Sequence, residues 1–187
     1  MLPVNPFSRP GKLRTDTLGI VWHWTSVPMQ DAEAVERYFA SLATQSPTDN
    51  VPDDYRSSHA VIGLDGTVRQ LIPWDEVAYH AGAVSYRLPW MELYPQYSHN
   101  VVGKTPNYAL IGIELCHPTA DGHFTQQTLA AALGLGCTLL NQYTLGYPDI
   151  YRHYDITGKI CPKYWVQKED AWHRFTMQIK GALELRR

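Results

Sequence analysis

The sequence has no apolar run approaching the roughly 20 residues of a membrane span. Nothing near its start reads as an apolar stretch followed by a small-residue cleavage site, so no secretory signal is expected. It also lacks a cationic surplus. Sixteen Lys and Arg against 18 Asp and Glu leave a formal net charge of -2, which argues against a nucleic-acid binder, since phosphate contacts want basic excess. Cysteine is scarce and odd in number (Cys116, Cys137, Cys161), so a disulfide framework is not expected and a metal or free-thiol role is more plausible. There is no internal repeat, low-complexity tract or Gly/Ser-rich linker to divide the 187 residues, which suit one domain. Charged residues are only 18% against 44% apolar, enough to build a core and too apolar for a disordered chain.

What the chain does have is 8 His and 12% aromatic residues, 12 of them Tyr and 6 Trp. Histidine suits metal binding or acid–base work, and exposed rings would suit a groove that grips sugars or peptides. Taken singly, most of these residues are expected to be packing or surface.

Residues 1–17 read as an extended arm, with Pro3, Pro6 and Pro10 breaking any helix, and residues 18–187 as the remaining domain. LGIVWHWT (18–25) reads as a buried strand with Val21, His23 and Thr25 on one face. Asp31 caps a helix to Ala43, whose Ala32, Val35, Phe39 and Leu42 recur at helical spacing. Residues 44–57, with Pro47, Asn50 and Pro52, have loop composition. HAVIGLDGTVRQLIP predicts a hairpin turning at Asp65-Gly66, and a short strand near VAYHAG is expected to follow. Residues 83–108 form a long irregular stretch rich in Tyr, of a length that is usually functional or mobile inside a compact domain. ALIGIELC (109–116) predicts another buried strand. A helix from Thr125 to Tyr143 has Leu129, Leu133 and Leu140 on one stripe, with Gly134 and Gly136 available for close packing. A last helix runs from about Val166 to Leu185 with Trp172, Phe175, Ile179 and Leu183 inward. Strands interleaved with helices predict an α/β (mixed α+β) single domain, a central mixed sheet flanked by helices.

Two places carry chemistry. His153 and Cys161 are separated by turn-forming residues and could converge on one borderline cation such as Zn²⁺, with His23 at the end of an apolar strand as a third donor. Three protein donors and an open position make a catalytic rather than a structural site. The spacing alone equally allows a core histidine and an inert buried thiol. Glu114 stands inside the apolar ALIGIEL, on the face of Leu110 and Gly112. A carboxylate there is costly unless paired or given a task, and burial would raise its pKa toward that of a general base. An edge-strand Glu facing water is the alternative.

VWHWT, SSHAVIGLDGTV, AYHAGA, IGIELC and RHYDITGKICPK, in this order and at these intervals, resemble the zinc-dependent N-acetylmuramoyl-L-alanine amidases of type 2, the family of phage endolysins, autolysins and peptidoglycan recognition proteins. The resemblance spans about residues 18–166. It implies a mixed sheet with zinc in a surface groove, the metal on His23, His153 and Cys161, Glu114 as catalytic base and Lys159 stabilising the oxyanion. It also implies a substrate-lining His80. Trp90 and Tyr94 are expected to touch glycan or stem peptide from the aromatic loop, unless those rings only pin it to the domain. The sequence departs from the family at Ser58, where some phage members carry a catalytic Tyr; the Glu114 variant of the chemistry is therefore favoured, and Tyr55 is not expected to substitute.

The activity implied is hydrolysis of the amide between N-acetylmuramic acid and L-alanine in peptidoglycan, with no nucleic-acid partner and no membrane span. Synthesis in the cytoplasm and passage to the wall through holin-type lesions would follow for an endolysin. The alternatives are a non-catalytic peptidoglycan-recognition module, against which Cys161 argues, and a cytoplasmic muropeptide-recycling amidase, whose third ligand is more often Asp. Arg152 reads as a surface charge, and Asp155 as a turn residue or partner to a metal histidine.

Overall fold

Two apolar hexapeptides make the centre of the molecule. β1 (Gly19–Trp24) and β4 (Leu110–Leu115) pair in parallel from Gly19↔Leu110 to Trp24↔Leu115. Both are buried along nearly their whole length, as strands covered on two faces must be. The computed structural model describes residues 1–46, 48 and 52–185; of the expected 44–57 loop, Pro47 and Asn50 lie outside the described residues. Beyond β4 lie β2 (Ala60–Ile62), parallel to it, and β3 (Val68–Gln70), antiparallel to β2. β5 (Ile150–Arg152) pairs with β1 on the other side, giving a five-stranded mixed sheet in the order β3-β2-β4-β1-β5. The α/β (mixed α+β) single domain expected from the sequence is what forms.

Alternation along β1 and β4 divides the core. Ile20, Trp22, Ile111, Ile113 and Leu115 face α3 (Gln126–Gln142) and α6 (Glu169–Glu184), where they pack with Leu139, Leu140, Trp172, Phe175 and Ile179. Val21 and Leu110 face the other way, toward Tyr86, Trp90, Tyr97 and Ile156. α1 (Ala32–Ser41) begins as expected, with the Asp31 carboxylate accepting from Ala34 N–H at 2.6 Å, and buries Ala32, Val35 and Phe39.

Four local expectations change. The VAYHAG segment forms no strand: it bends at residues 79–81 and is held by Val77 N–H donating to Lys12 O and by Ser57 and Tyr79 exchanging hydrogen bonds. The inward stripe of α3 is rotated. Thr128, Ala132 and Gly136 turn toward the sheet, while Leu129 and Leu133 are only half-buried. The reason is close approach, since a Cβ on Gly136 would sit 3.2 Å from the Trp22 ring. The last helix is two, α5 (Lys163–Gln167) and α6, broken at Lys168, where no Gly or Pro announces it. Residues 83–108 hold a six-residue helix, α2 (Leu88–Leu93), and short 3₁₀ turns at Pro95–Tyr97 and Pro106–Tyr108.

The N-terminal arm, expected to be extended, turns back on itself between Asn5 and Arg9, and it contributes to the core: Leu2 and Phe7 are buried beside Val35, Phe39 and Leu71. Arg9 pairs with Glu76 at 2.8 Å, and the Thr15 and Asp16 side chains bond the Tyr97 hydroxyl.

Candidate metal centre

His23 lies one residue before the end of β1, on the face opposite Trp22, and its parallel-register neighbour is Glu114 of β4. On its other flank β5 ends at Arg152, so His153 opens the short helix α4 (His153–Thr157) just past the strand end. The His23 and His153 rings are 4.7 Å apart, centroid to centroid. Gly158, in the left-handed region, turns the chain back. Cys161 then returns beside α4, its carbonyl accepting from Tyr154 N–H at 3.0 Å. Donor atoms of His23, His153 and Cys161 all lie within 4.8 Å of one another, and no other such cluster occurs among the described residues.

The donor set fits a zinc ion on three counts. The Cys161 Sγ to His23 Nδ1 distance is 3.7 Å; a tetrahedral ion with ordinary Zn–N and Zn–S lengths spaces such a pair by about 3.6 Å. His153 Nδ1 is buried with no hydrogen-bond partner, which is unusual for a polar atom without a ligand to hold. Two imidazoles and a thiolate are also donors that zinc accepts.

Burial sets the electrostatics. Desolvation, then the nearby His153 and His80, holds His23 well below the usual imidazole range. His153 falls to about 3 through burial and then Lys159. The Cys161 thiol is pushed up by burial and by Glu114. The histidines are thus kept neutral, as ligands must be, while the thiolate needs a cation beside it to exist. Glu114 is half-buried, its Oε2 is enclosed with no partner, and burial pushes its pKa up to about 8 against the opposing pull of Lys159 and Arg56. The edge-strand alternative is thereby excluded, because this carboxylate faces the metal cluster in the middle of the sheet.

A groove of about 510 Å³ lies over these residues. Its floor includes His23, Glu114, His153, Lys159 and Cys161, and its walls include Tyr55, Arg56, Lys12, Asn107 and Val101. The structure therefore brings together the three expected ligands, Glu114 and Lys159, with His80 at the edge and 8% exposed. It does not bring Trp90 or Tyr94 there. Trp90 is buried, its ring 4.6 Å from Tyr94, its indole N–H donating to Tyr97 O, and the Tyr94 hydroxyl meets that of Tyr151. These rings pin the excursion to the domain, and it reaches the groove instead through Asn100–Val102, Thr105, Asn107 and Tyr108.

Sequence reasoning missed two things. Arg152, read as a surface charge, is buried, its guanidinium bonded to Asp155, Glu169 and Trp165 O. It ties the His153 turn to α5 and α6. Lys12 of the arm and Arg56 line the groove, and nothing in their sequence context marks them.

The family described as N-acetylmuramoyl-L-alanine amidase matches residues 14–164. The N-acetylmuramoyl-L-alanine amidase BlyA of Bacillus subtilis (strain 168) is 30% identical over 185 residues, covering 97% of this chain and 46% of that protein. The chain thus spans a little under half the length of the curated relatives it matches. Among solved structures, the catalytic domain of XlyA superposes with a TM-score of 0.66 at 29% identity, covering 96% of this chain and 95% of that one. A mutant endolysin from Bacillus subtilis gives 0.66 at 28%, with the same coverage of 96% and 95%.

Proposed function

The chain belongs to the N-acetylmuramoyl-L-alanine amidase family, and from that premise we propose that it hydrolyses the amide between N-acetylmuramic acid and L-alanine in peptidoglycan, using zinc held by His23, His153 and Cys161. The observation that carries this reading is the placement of Glu114, with an unpartnered carboxylate oxygen, in register with His23 beneath an open groove. Residues 18–187 are the catalytic domain in this reading, braced by the arm of residues 1–17. The groove takes the glycan and stem peptide; no nucleic acid is involved, and no helix among the described residues is long and apolar enough to cross a membrane. Similarity to a Bacillus subtilis endolysin supports action at the cell wall, after release from the cytoplasm through holin-type lesions.

Zinc bound to the three donors would supply Lewis acidity to the scissile carbonyl and to a water molecule. Glu114 takes the proton of the attacking water on Oε2 and returns it to the leaving amine of L-alanine, a task suited to a carboxylate whose proton affinity is raised by burial. The Lys159 ammonium faces the same space and holds negative charge developing on the carbonyl oxygen. His23 and Cys161 keep fixed positions, His23 on a rigid strand and Cys161 on the loop closed by Tyr154.

The test is digestion of purified walls with and without a chelator. Amidase action releases free amino groups and no new reducing ends, and it stops when metal is removed. New reducing ends would mark a glycosidase and sink the proposal.

A further inference from the structure

His80 makes two hydrogen bonds that together fix where protons sit in the site. Its Nε2 lies 3.2 Å from the carbonyl oxygen of Leu110, and its Nδ1 lies 3.1 Å from Nε2 of His23. A carbonyl only accepts, so the His80 proton is on Nε2. In a neutral ring Nδ1 is then bare and must accept, which makes His23 Nε2 the donor. The one remaining nitrogen of His23, Nδ1, is left with its lone pair exposed, and that is the atom 3.7 Å from Cys161 Sγ. The two rings stand nearly perpendicular, at 85° with centroids 5.1 Å apart, which points the His23 N–H at the edge of His80.

The fold is shaped to admit this contact. Gly112 stands between Leu110 and Glu114 on the site face of β4, and a Cβ there would come within 2.4 Å of the His80 ring. Only glycine lets the imidazole lie against the strand. The ring is anchored from behind as well. The Asn107 side-chain oxygen accepts from the backbone N–H of His80 at 3.0 Å and of Ala81 at 2.7 Å. His59 fills the far side, accepting from Gly112 N–H and bonding Glu76 O.

We propose that His80 is a positioning residue for the metal: through the path Leu110 C=O, His80, His23 it locks His23 in the tautomer whose Nδ1 faces the ion. This rests on the metal site proposed above and assigns His80 a role toward a ligand rather than toward substrate. Such outer partners fix ring orientation and ligand basicity, and their loss typically weakens metal binding by about 10–100-fold.

Two measurements test it. Long-range ¹H–¹⁵N correlation spectra of metal-free, ¹⁵N-histidine-labelled protein should show His23 and His80 both as Nε2–H tautomers. A proton on His23 Nδ1 would overturn the assignment. Zinc affinity by chelator competition should fall about 10–100-fold in His80→Leu, which removes the acceptor, and recover most of that loss in His80→Asn, whose Oδ1 replaces the ring Nδ1. Wild-type affinity in His80→Leu would also overturn it, as would equal loss in both variants, which marks a packing role. Should His80→Leu not fold, the wild-type spectra still decide. Predicted tautomers in a protein that binds no zinc would support the proton path and defeat the metal site instead.

Discussion

The two faces of β1 and β4 are built from alternate residues of the same two hexapeptides, yet they follow opposite rules. On one face Trp22 and Ile113 are fully buried among Phe175, Trp165 and Ile179, with Trp22 meeting Phe175 edge-on at 5.4 Å. On the other, one residue along each strand, His23 is buried and Glu114 half-buried, and Glu114 Oε2 and the adjoining His153 Nδ1 are enclosed with no protein partner. Burial is therefore not what separates core from site. The difference is the chemistry of what is enclosed: the packed face orphans one indole N–H, Trp22 Nε1, among apolar side chains, while the other face gathers imidazoles, a thiol and a carboxylate, and strand alternation keeps the two populations apart with no loop or domain boundary between them.

The sharpest break between the faces is expected at Glu114. Glu114→Gln keeps the shape and removes the base, so turnover should fall about 10²–10⁴-fold with zinc content and melting temperature held. Loss of zinc in that variant would make Glu114 a ligand and end the three-donor scheme. The mirror experiment is Trp22→Ala, a truncation in the packed face that should lower stability by about 3–5 kcal/mol in denaturant titration, while the surviving folded protein keeps its zinc stoichiometry. Next comes Lys159→Ala, where one lost charge partner should reduce turnover about 10²–10³-fold with metal retained. Unchanged turnover would place Lys159 outside the chemistry.

Much of this division was legible beforehand. The alternation in VWHWT and ALIGIEL assigned His23 and Glu114 to their faces correctly, because a period of two over six residues leaves little freedom. What the sequence did not carry were contacts between distant segments. β5 is three residues long and too short to show a period. Arg152 looks like any surface cation until Glu169 and Trp165 O arrive from α6 and α5. The His80–His23 contact joins residues 57 apart, and only Gly112, a glycine with no turn to explain it, hinted that a side chain would lie there. Trp90 and Tyr94 misled because aromatic density in a long loop marks a groove and a packed loop equally.

The faces should also differ in their response to pH. In metal-free protein Glu114 has a folded pKa of about 8 against an ordinary 4.5. A raised acid contributes stability fully present below its unfolded pKa and lost as pH rises through the folded one. Stability should accordingly decline between pH 4.5 and 8, by on the order of a few kcal/mol. His59 is depressed by burial and runs the other way: its contribution is present above the ordinary 6.5 and lost as pH falls. Glu114→Gln should flatten the alkaline decline of the melting temperature and leave the acid side alone. A decline that survives the substitution assigns it to another group. The packed face has no carboxylate or imidazole among the buried members of its apolar cluster, so neither limb is assigned to it.

The smallest effect lies in the helix that covers the packed face. Gly134 and Gly136 both sit inside α3, and glycine in a helix interior is worse than alanine by about 0.5–1 kcal/mol. At Gly134 an added Cβ meets nothing within 4 Å, so Gly134→Ala should stabilise by that amount. At Gly136 the same methyl would lie 3.2 Å from Trp22 and 3.3 Å from Ile179, both held in the close-packed layer. The propensity gain there is offset by displacing side chains that have nowhere to go. Gly136→Ala should therefore gain less than Gly134→Ala, or lose, in parallel denaturant titrations of the two variants. Equal gains would mean that the layer under α3 yields freely, and that the packed face is less tightly specified than its full burial implies. Because the site lies across the sheet, neither substitution should alter zinc affinity, and a change in it from Gly136→Ala alone would show that strain at Trp22 passes through β1 to His23.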